Sequence, residues 1–138
     1  MITMKEQTIS FPAASENVSI VENLIDEICL QYKISEDNYG NILVALTEAV
    51  NNAILHGSKA NPSKTVVVSF VSDEKELCFV VKDQGEGFDY DKLPDPTAAE
   101  NIENPNGRGV FLMKHLADGI EFKDNGSTVS LKFNLFSN

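Results

Sequence analysis

Positive charge is scarce in this chain. Its 138 residues hold 11 Lys plus Arg against 21 Asp plus Glu, a formal charge of −10. General nucleic-acid binding needs Lys and Arg to replace phosphate counterions, so the balance argues against it. It argues equally against adhesion to an anionic membrane surface. Long apolar runs are also missing: nothing approaches the roughly eighteen apolar residues of a bilayer-crossing helix. Met1–Ser10 lacks an apolar core of signal-peptide type, which predicts a cytoplasmic protein. Cysteine is limited to Cys29 and Cys78, both in apolar surroundings and without metal-ligand spacing, so they read as buried reduced thiols. Histidine is limited to His56 and His115, far apart in sequence. There is no internal repeat and no low-complexity tract. What remains is ordinary for a globular protein, with 42% hydrophobic and 23% charged residues, and the length suits one domain.

The pattern of elements can be followed along the chain. Met4–Phe11 alternates loosely as a first strand, ended by Pro12. Ser15 can cap a helix over Glu16–Tyr32, whose apolar positions Val18, Val21, Leu24, Ile25, Ile28 and Tyr32 follow the helical period. Ser35 can cap a second helix over Glu36–His56, with a buried stripe of Ile42, Leu46, Ala49, Val50 and Ala53. Gly57 follows as a helix-ending residue that accepts positive φ. Lys64–Val71 and Glu76–Lys82 predict an antiparallel hairpin. Phe88–Asn106 carries Pro94, Pro96 and Pro105 with little periodicity, and a compact domain seldom holds so long a stretch without a functional reason. Gly109–Ala117 returns to a helical pattern, and Glu121–Lys123 with Thr128–Phe136 predicts a closing hairpin around Asp124-Asn125-Gly126. Strands cluster and helices cluster, which predicts an α+β two-layer sandwich: a mainly antiparallel sheet with helices on one face.

Three constellations can carry chemistry. Glu48, Asn52 and His56 are spaced i, i+4, i+8 on the second helix, so they share a face beside the apolar stripe. A carboxylate and an amide there lose water and need partners, which a hard divalent cation with phosphate oxygens would supply. The plainer alternative is a solvated polar flank. His56, at the helix C-terminus, suits an interaction with the helix dipole better than metal ligation. The second constellation is Asp83-Gln84-Gly85-Glu86-Gly87. Asp83 is in phase with Leu77, Phe79 and Val81, so its carboxylate is aimed into an apolar layer, where an adenine amine is a suitable donor. The glycines let a flat ring approach the backbone. A simple Asp-x-Gly turn is the alternative. The third is Asn106-Gly107-Arg108-Gly109 directly before a helix, where free N–H groups and the dipole favour phosphate, although glycine loops before helices are common.

Taken together and in this order, the blocks resemble the N, G1 and G2 boxes of the GHKL ATPase superfamily. Phe11-Pro12-Ala13-Ala14-Ser15-Glu16-Asn17, the two long helices, Gly107-Arg108-Gly109-Val110-Phe111-Leu112-Met113 and Gly126-Ser127-Thr128-Val129 resemble the bacterial anti-sigma-factor serine kinases, so the likeness covers essentially the whole chain. The resemblance implies a single Bergerat-type domain over residues 1–138 that binds ATP and Mg²⁺ under a lid at about 88–106. It implies Glu48 as general base, Asn52 as the Mg²⁺-binding amide and Asp83 as the adenine-reading acid. Gly85 and Gly87 would shape the pocket, and Gly107 and Gly109 would lie at the phosphates. Thr128, or Ser127 in its place, would assist adenine recognition. It further implies two partners, a STAS-type anti-sigma-antagonist domain that is phosphorylated on serine and a sigma factor that is sequestered, and a homodimer.

Two positions depart from the family pattern. Pro105 stands near the place where kinases of the family often carry an arginine, and Arg108 inside the motif can serve the γ-phosphate instead. Ser127 stands where threonine is frequent. Pro105 keeps open an ATP-holding binding module without phosphotransfer. A detached histidine-kinase catalytic domain is the other alternative, but neither His56 nor His115 sits in an evident phospho-acceptor helix hairpin.

Overall fold

The computed structural model describes residues 5–59, 61–72, 75–84, 105–124 and 127–134, the side chains of 5 and 105–109 excepted. Five strands form one sheet: β1 (Lys5–Pro12), β2 (Thr65–Ser72), β3 (Glu76–Lys82), β4 (Gly119–Lys123) and β5 (Thr128–Asn134). Their order is β1-β2-β3-β5-β4, and every neighbouring pair is antiparallel. The helices are α1 (Val18–Gln31), α2 (Glu36–Asn52) and α3 (Pro105–Leu116). This is the α+β architecture expected from the sequence.

Alternation builds the inner layer. Val66, Val68 and Phe70 of β2, Leu77, Phe79 and Val81 of β3, and Val129, Leu131 and Phe133 of β5 are buried. They share one core with Val21, Leu24, Ile25 and Ile28 of α1, Ile42, Leu46, Ala49 and Val50 of α2, and Val110 and Met113 of α3. The intervening strand residues Val67, Ser69, Val71, Cys78, Val80 and Ser130 are only half-buried, so the helices cover one face. An aromatic row crosses the inner face. Phe70 meets Phe79 at 5.2 Å between ring centres, Phe79 meets Phe133 edge-on at 6.1 Å, and Tyr32 meets Phe70 at 5.9 Å. Each buried ring contributes about 1.5–3 kcal/mol of hydrophobic stabilisation.

Several element ends differ from the expectation. Ser35 caps α2 as expected, its Oγ accepting from the Asn38 N–H at 3.2 Å. Ser15 does not cap α1; Ser15–Asn17 is a 3₁₀ turn, and α1 begins at Val18. Asn17 Nδ2 donates instead to the Pro12 carbonyl at 2.8 Å, tying the helix start to the end of β1. The second helix does not stay α-helical to His56: Ala53–Gly57 is a π-turn, closed by the Ser58 N–H donating to the Ala53 carbonyl at 2.8 Å. Gly57 does not take a positive φ; Lys59 does, at 53°. The third helix begins at Pro105, not Gly109. Proline suits a first helical position because its φ is preset and its missing N–H has no in-helix acceptor anyway. Both thiols are free. Cys29 is buried, and Cys78 is half-buried. Burial, aided by Asp26, pushes the Cys29 thiol up to about 11. Among the described residues, no helix is long and apolar enough to cross a membrane.

Candidate functional site

A small cleft lies between α2, α3 and the inner face of the sheet. Its wall is Ala49, Asn52, Ala53, Val81, Asp83, Met113, Phe122, Ser127 and Val129. Apolar side chains make most of the surface, and three polar groups converge on it, as in sites that hold a flat, mostly apolar ring by a few fixed contacts. Ala49 and Ala53 are one helical turn apart, and their small side chains hold α2 back from the space.

Each polar group arrives from a different element. Asp83 ends the inward series Leu77, Phe79, Val81, as the strand period predicts. Its N–H donates to the Ser127 carbonyl at 2.9 Å, which continues the β3–β5 ladder by one step. Next to it, the Gln84 side-chain oxygen accepts from the Thr65 N–H at 2.8 Å. Asn52 closes the α-helical part of α2. It is 8% exposed, and its Nδ2 has no hydrogen-bond partner among the described residues. A buried amide nitrogen left so costs about 1–3 kcal/mol, which a ligand acceptor in the cleft would offset. An amide also offers an oxygen, so these residues fit a nucleotide with its cation. Among the described residues, no group of three or more His, Cys, Asp or Glu gathers to hold a metal, so a cation here would draw ligands from the nucleotide phosphates as well.

Ser127, and not Thr128, supplies the hydroxyl of the cleft. Ser127 lies across the ladder from Asp83, whereas Thr128 pairs with Lys82 and belongs to the other face. Thr128 Oγ1 donates to Asp124 Oδ2 at 2.9 Å, and the residue is buried. Strand alternation carries the signal, since Ser127 is in phase with Val129 and Leu131. The Ser127 Oγ itself donates to the Asp124 carbonyl at 2.8 Å, leaving its lone pairs to accept.

Glu48 is half-buried on α2, one turn before Asn52 and outside the cleft wall. His56, the expected third member of that face, lies in the π-turn and is not part of the cleft wall. Burial lowers the pKa of His56, the opposite of what the helix dipole would do, so desolvation outweighs the expected dipole contact. Gly107, Arg108 and Gly109 lie within the beginning of α3 instead of in a loop before it. In a regular helix starting at Pro105, the N–H groups of Asn106 and Gly107 have no in-helix acceptor and remain for a ligand. Gly85, Gly87 and residues 88–104 of the lid expected at about 88–106 lie outside the described residues, and Pro105 and Asn106 belong to α3. Met113 lies at the end of the family-like block Gly107–Met113, whereas Phe122, also in the wall, carries no motif and sequence reasoning does not find it.

Comparison with known proteins agrees with this geometry. The family described as the histidine kinase-like ATPase domain matches residues 11–133. The anti-sigma F factor of Bacillus cytotoxicus is 29% identical over 132 residues, covering 91% of this chain and 90% of that protein. The serine-protein kinase RsbW of Staphylococcus aureus is 29% identical over 128 residues, covering 87% and 80%. The matched span takes in every wall of the cleft, and the chain belongs to the histidine kinase-like ATPase domain family.

Proposed function

We propose that this protein is an ATP-dependent protein serine kinase that also acts as an anti-sigma factor, in a cytoplasmic partner-switching system. The observation that carries the reading is the cleft itself, where Asn52, Asp83 and Ser127 converge within an apolar wall. Near-complete alignment with proteins named as an anti-sigma factor and a serine-protein kinase supports it.

Asp83 accepts a hydrogen bond from the adenine 6-amino group, and Ser127 lies beside it on the same face. Gly85 and Gly87 shape the pocket edge, and residues 88–106 form the lid. Asn52 would hold Mg²⁺ by its amide, and the bound cation would supply charge neutralisation for the triphosphate. The N–H groups at the start of α3, around Gly107 and Gly109, hold phosphate oxygens, and Arg108 serves the γ-phosphate. Glu48 orients the serine hydroxyl of a STAS-type antagonist and takes its proton as the γ-phosphoryl group passes to the serine oxygen and ADP leaves. Phosphoryl transfer depends mainly on positioning and charge neutralisation, so an ordinary carboxylate suffices as base. The sigma factor is the second partner, and the active unit is a homodimer.

The test is transfer of labelled γ-phosphate from Mg·ATP to antagonist domains from the same genome. General-base help is worth about 10²–10⁴-fold, so Glu48→Gln loses most transfer and keeps nucleotide affinity. Wild-type transfer by that variant would remove Glu48 from the role. Pro105 favours one other reading, a module that binds ATP and partner without chemistry; tight Mg·ATP binding with no phosphoserine formed would establish it.

A further inference from the structure

We propose that Gly57 is a positioning residue for the base-reading carboxylate. The π-turn brings its bare Cα against Asp83, and the absence of a Cβ is what lets that carboxylate take its place in the cleft. The inference rests on the reading of Asp83 as the partner of the adenine amine.

A Cβ built on Gly57 would come closer than 3.0 Å to Asp83 Cγ and to both carboxylate oxygens, and these are its three nearest neighbours. Conformational freedom does not explain the glycine. Its φ lies outside the left-handed region, so alanine suits the backbone and only the space forbids it. Gly40, on the same helix, meets nothing within 4 Å and is the natural control.

The contact depends on the π-turn. The Ser58 N–H reaches back five residues to the Ala53 carbonyl, one residue further than in an α-helix, and the widened turn carries Gly57. Relief of a clash at Gly57 also has a defined direction. The Asp83 backbone is held by its N–H to the Ser127 carbonyl at 2.9 Å, so a Cβ would displace the side chain by rotation and take the carboxylate from its seat. The burden falls on base recognition more than on the fold.

Calorimetric titration with Mg·ATP and with Mg·purine riboside triphosphate, which lacks the 6-amino group, separates these effects. Melting without nucleotide is measured alongside, on wild type, Gly57→Ala, Asp83→Ala, the double variant and Gly40→Ala. A hydrogen bond to a charged group corresponds to about a tenfold to hundredfold preference for ATP in the wild type. Gly57→Ala removes that preference and leaves affinity for the purine riboside nucleotide unchanged. Gly40→Ala retains the preference. In the Asp83→Ala background, where room for a Cβ exists, Gly57→Ala has no further effect on ATP affinity or melting temperature. Equal weakening of both nucleotides by Gly57→Ala, or an undiminished effect without the Asp83 carboxylate, overturns the proposal. If wild type shows no preference for the 6-amino group, the adenine reading fails, and the melting cycle still decides whether Gly57 and Asp83 are coupled. If Gly57→Ala alone does not fold, folding of the double variant supports the proposal, and its failure to fold overturns it.

Discussion

Replacing Asn52 by leucine exchanges binding for stability, and the structure sets the size of both changes. Asn52 is 8% exposed, sits among apolar neighbours, and has an amide nitrogen with no partner among the described residues. A buried, unsatisfied donor costs about 1–3 kcal/mol, and leucine of similar volume removes it. The nucleotide-free variant therefore melts later, by about 3–10 °C for a domain of this size. Binding moves the other way. A ligand present at a hundred times its dissociation constant adds about 2.7 kcal/mol to the wild type. Asn52→Leu has no amide for the cation or the phosphates, so this nucleotide-dependent increment vanishes. Differential scanning calorimetry of both proteins, with and without millimolar Mg·ATP, reads the two effects in one set of scans. A variant that melts earlier without nucleotide yet keeps the Mg·ATP increment would show that the amide serves the fold and not the ligand.

Other changes have defined outcomes. Ser127→Ala weakens Mg·ATP binding more than Thr128→Val does, whereas Thr128→Val loses the bond to Asp124 and about 1 kcal/mol of stability; the reverse ranking in calorimetry would restore Thr128 to the site. Gly40→Ala adds a Cβ in open space within α2 and stabilises by about 0.5–1 kcal/mol, read as a higher urea midpoint with unchanged slope; a lower midpoint counts against the packing described. Burial holds the His56 imidazole below its ordinary range, so the unfolded chain takes the proton first as pH falls. The stability this shift governs is full above the unfolded value of about 6.5 and is lost as pH falls from there toward the folded value. His56→Gln flattens that part of the stability–pH curve, and an unchanged slope would place the titration elsewhere.

Much of this was readable from residue order. The Ser35 cap, the stripe from Ile42 to Ala53 and the alternation of β2 and β3 each rest on local periodicity, and the helices and strands fall where those periods predict. Asp83 is readable for the same reason, since strand phase continues one residue past the ladder. Local signals fail where a tertiary contact decides. A π-turn differs from an α-turn by a single residue of hydrogen-bond spacing, and nothing in Ala53-Ile54-Leu55-His56-Gly57 announces it. Pro105 closes a proline-containing stretch and so reads as loop, yet the same ring geometry favours a helix start. The wall residues Met113 and Phe122 meet only when α3 and β4 fold over the sheet, so no window of sequence contains the cleft.

The strand order gives β5 a particular burden. It follows every other described element in sequence, yet it lies inside the sheet, between β3 and β4. β4 has no other described partner strand, so Phe122 reaches the cleft only through β5. The hydroxyl of Ser127 and the backbone anchor of Asp83 come from the approach to the same strand. Loss of this one segment would therefore unfasten an edge of the molecule and open its binding site in a single step. A nascent or clipped chain ending before Thr128 cannot hold nucleotide in partial form, and competence to bind reports that assembly is complete.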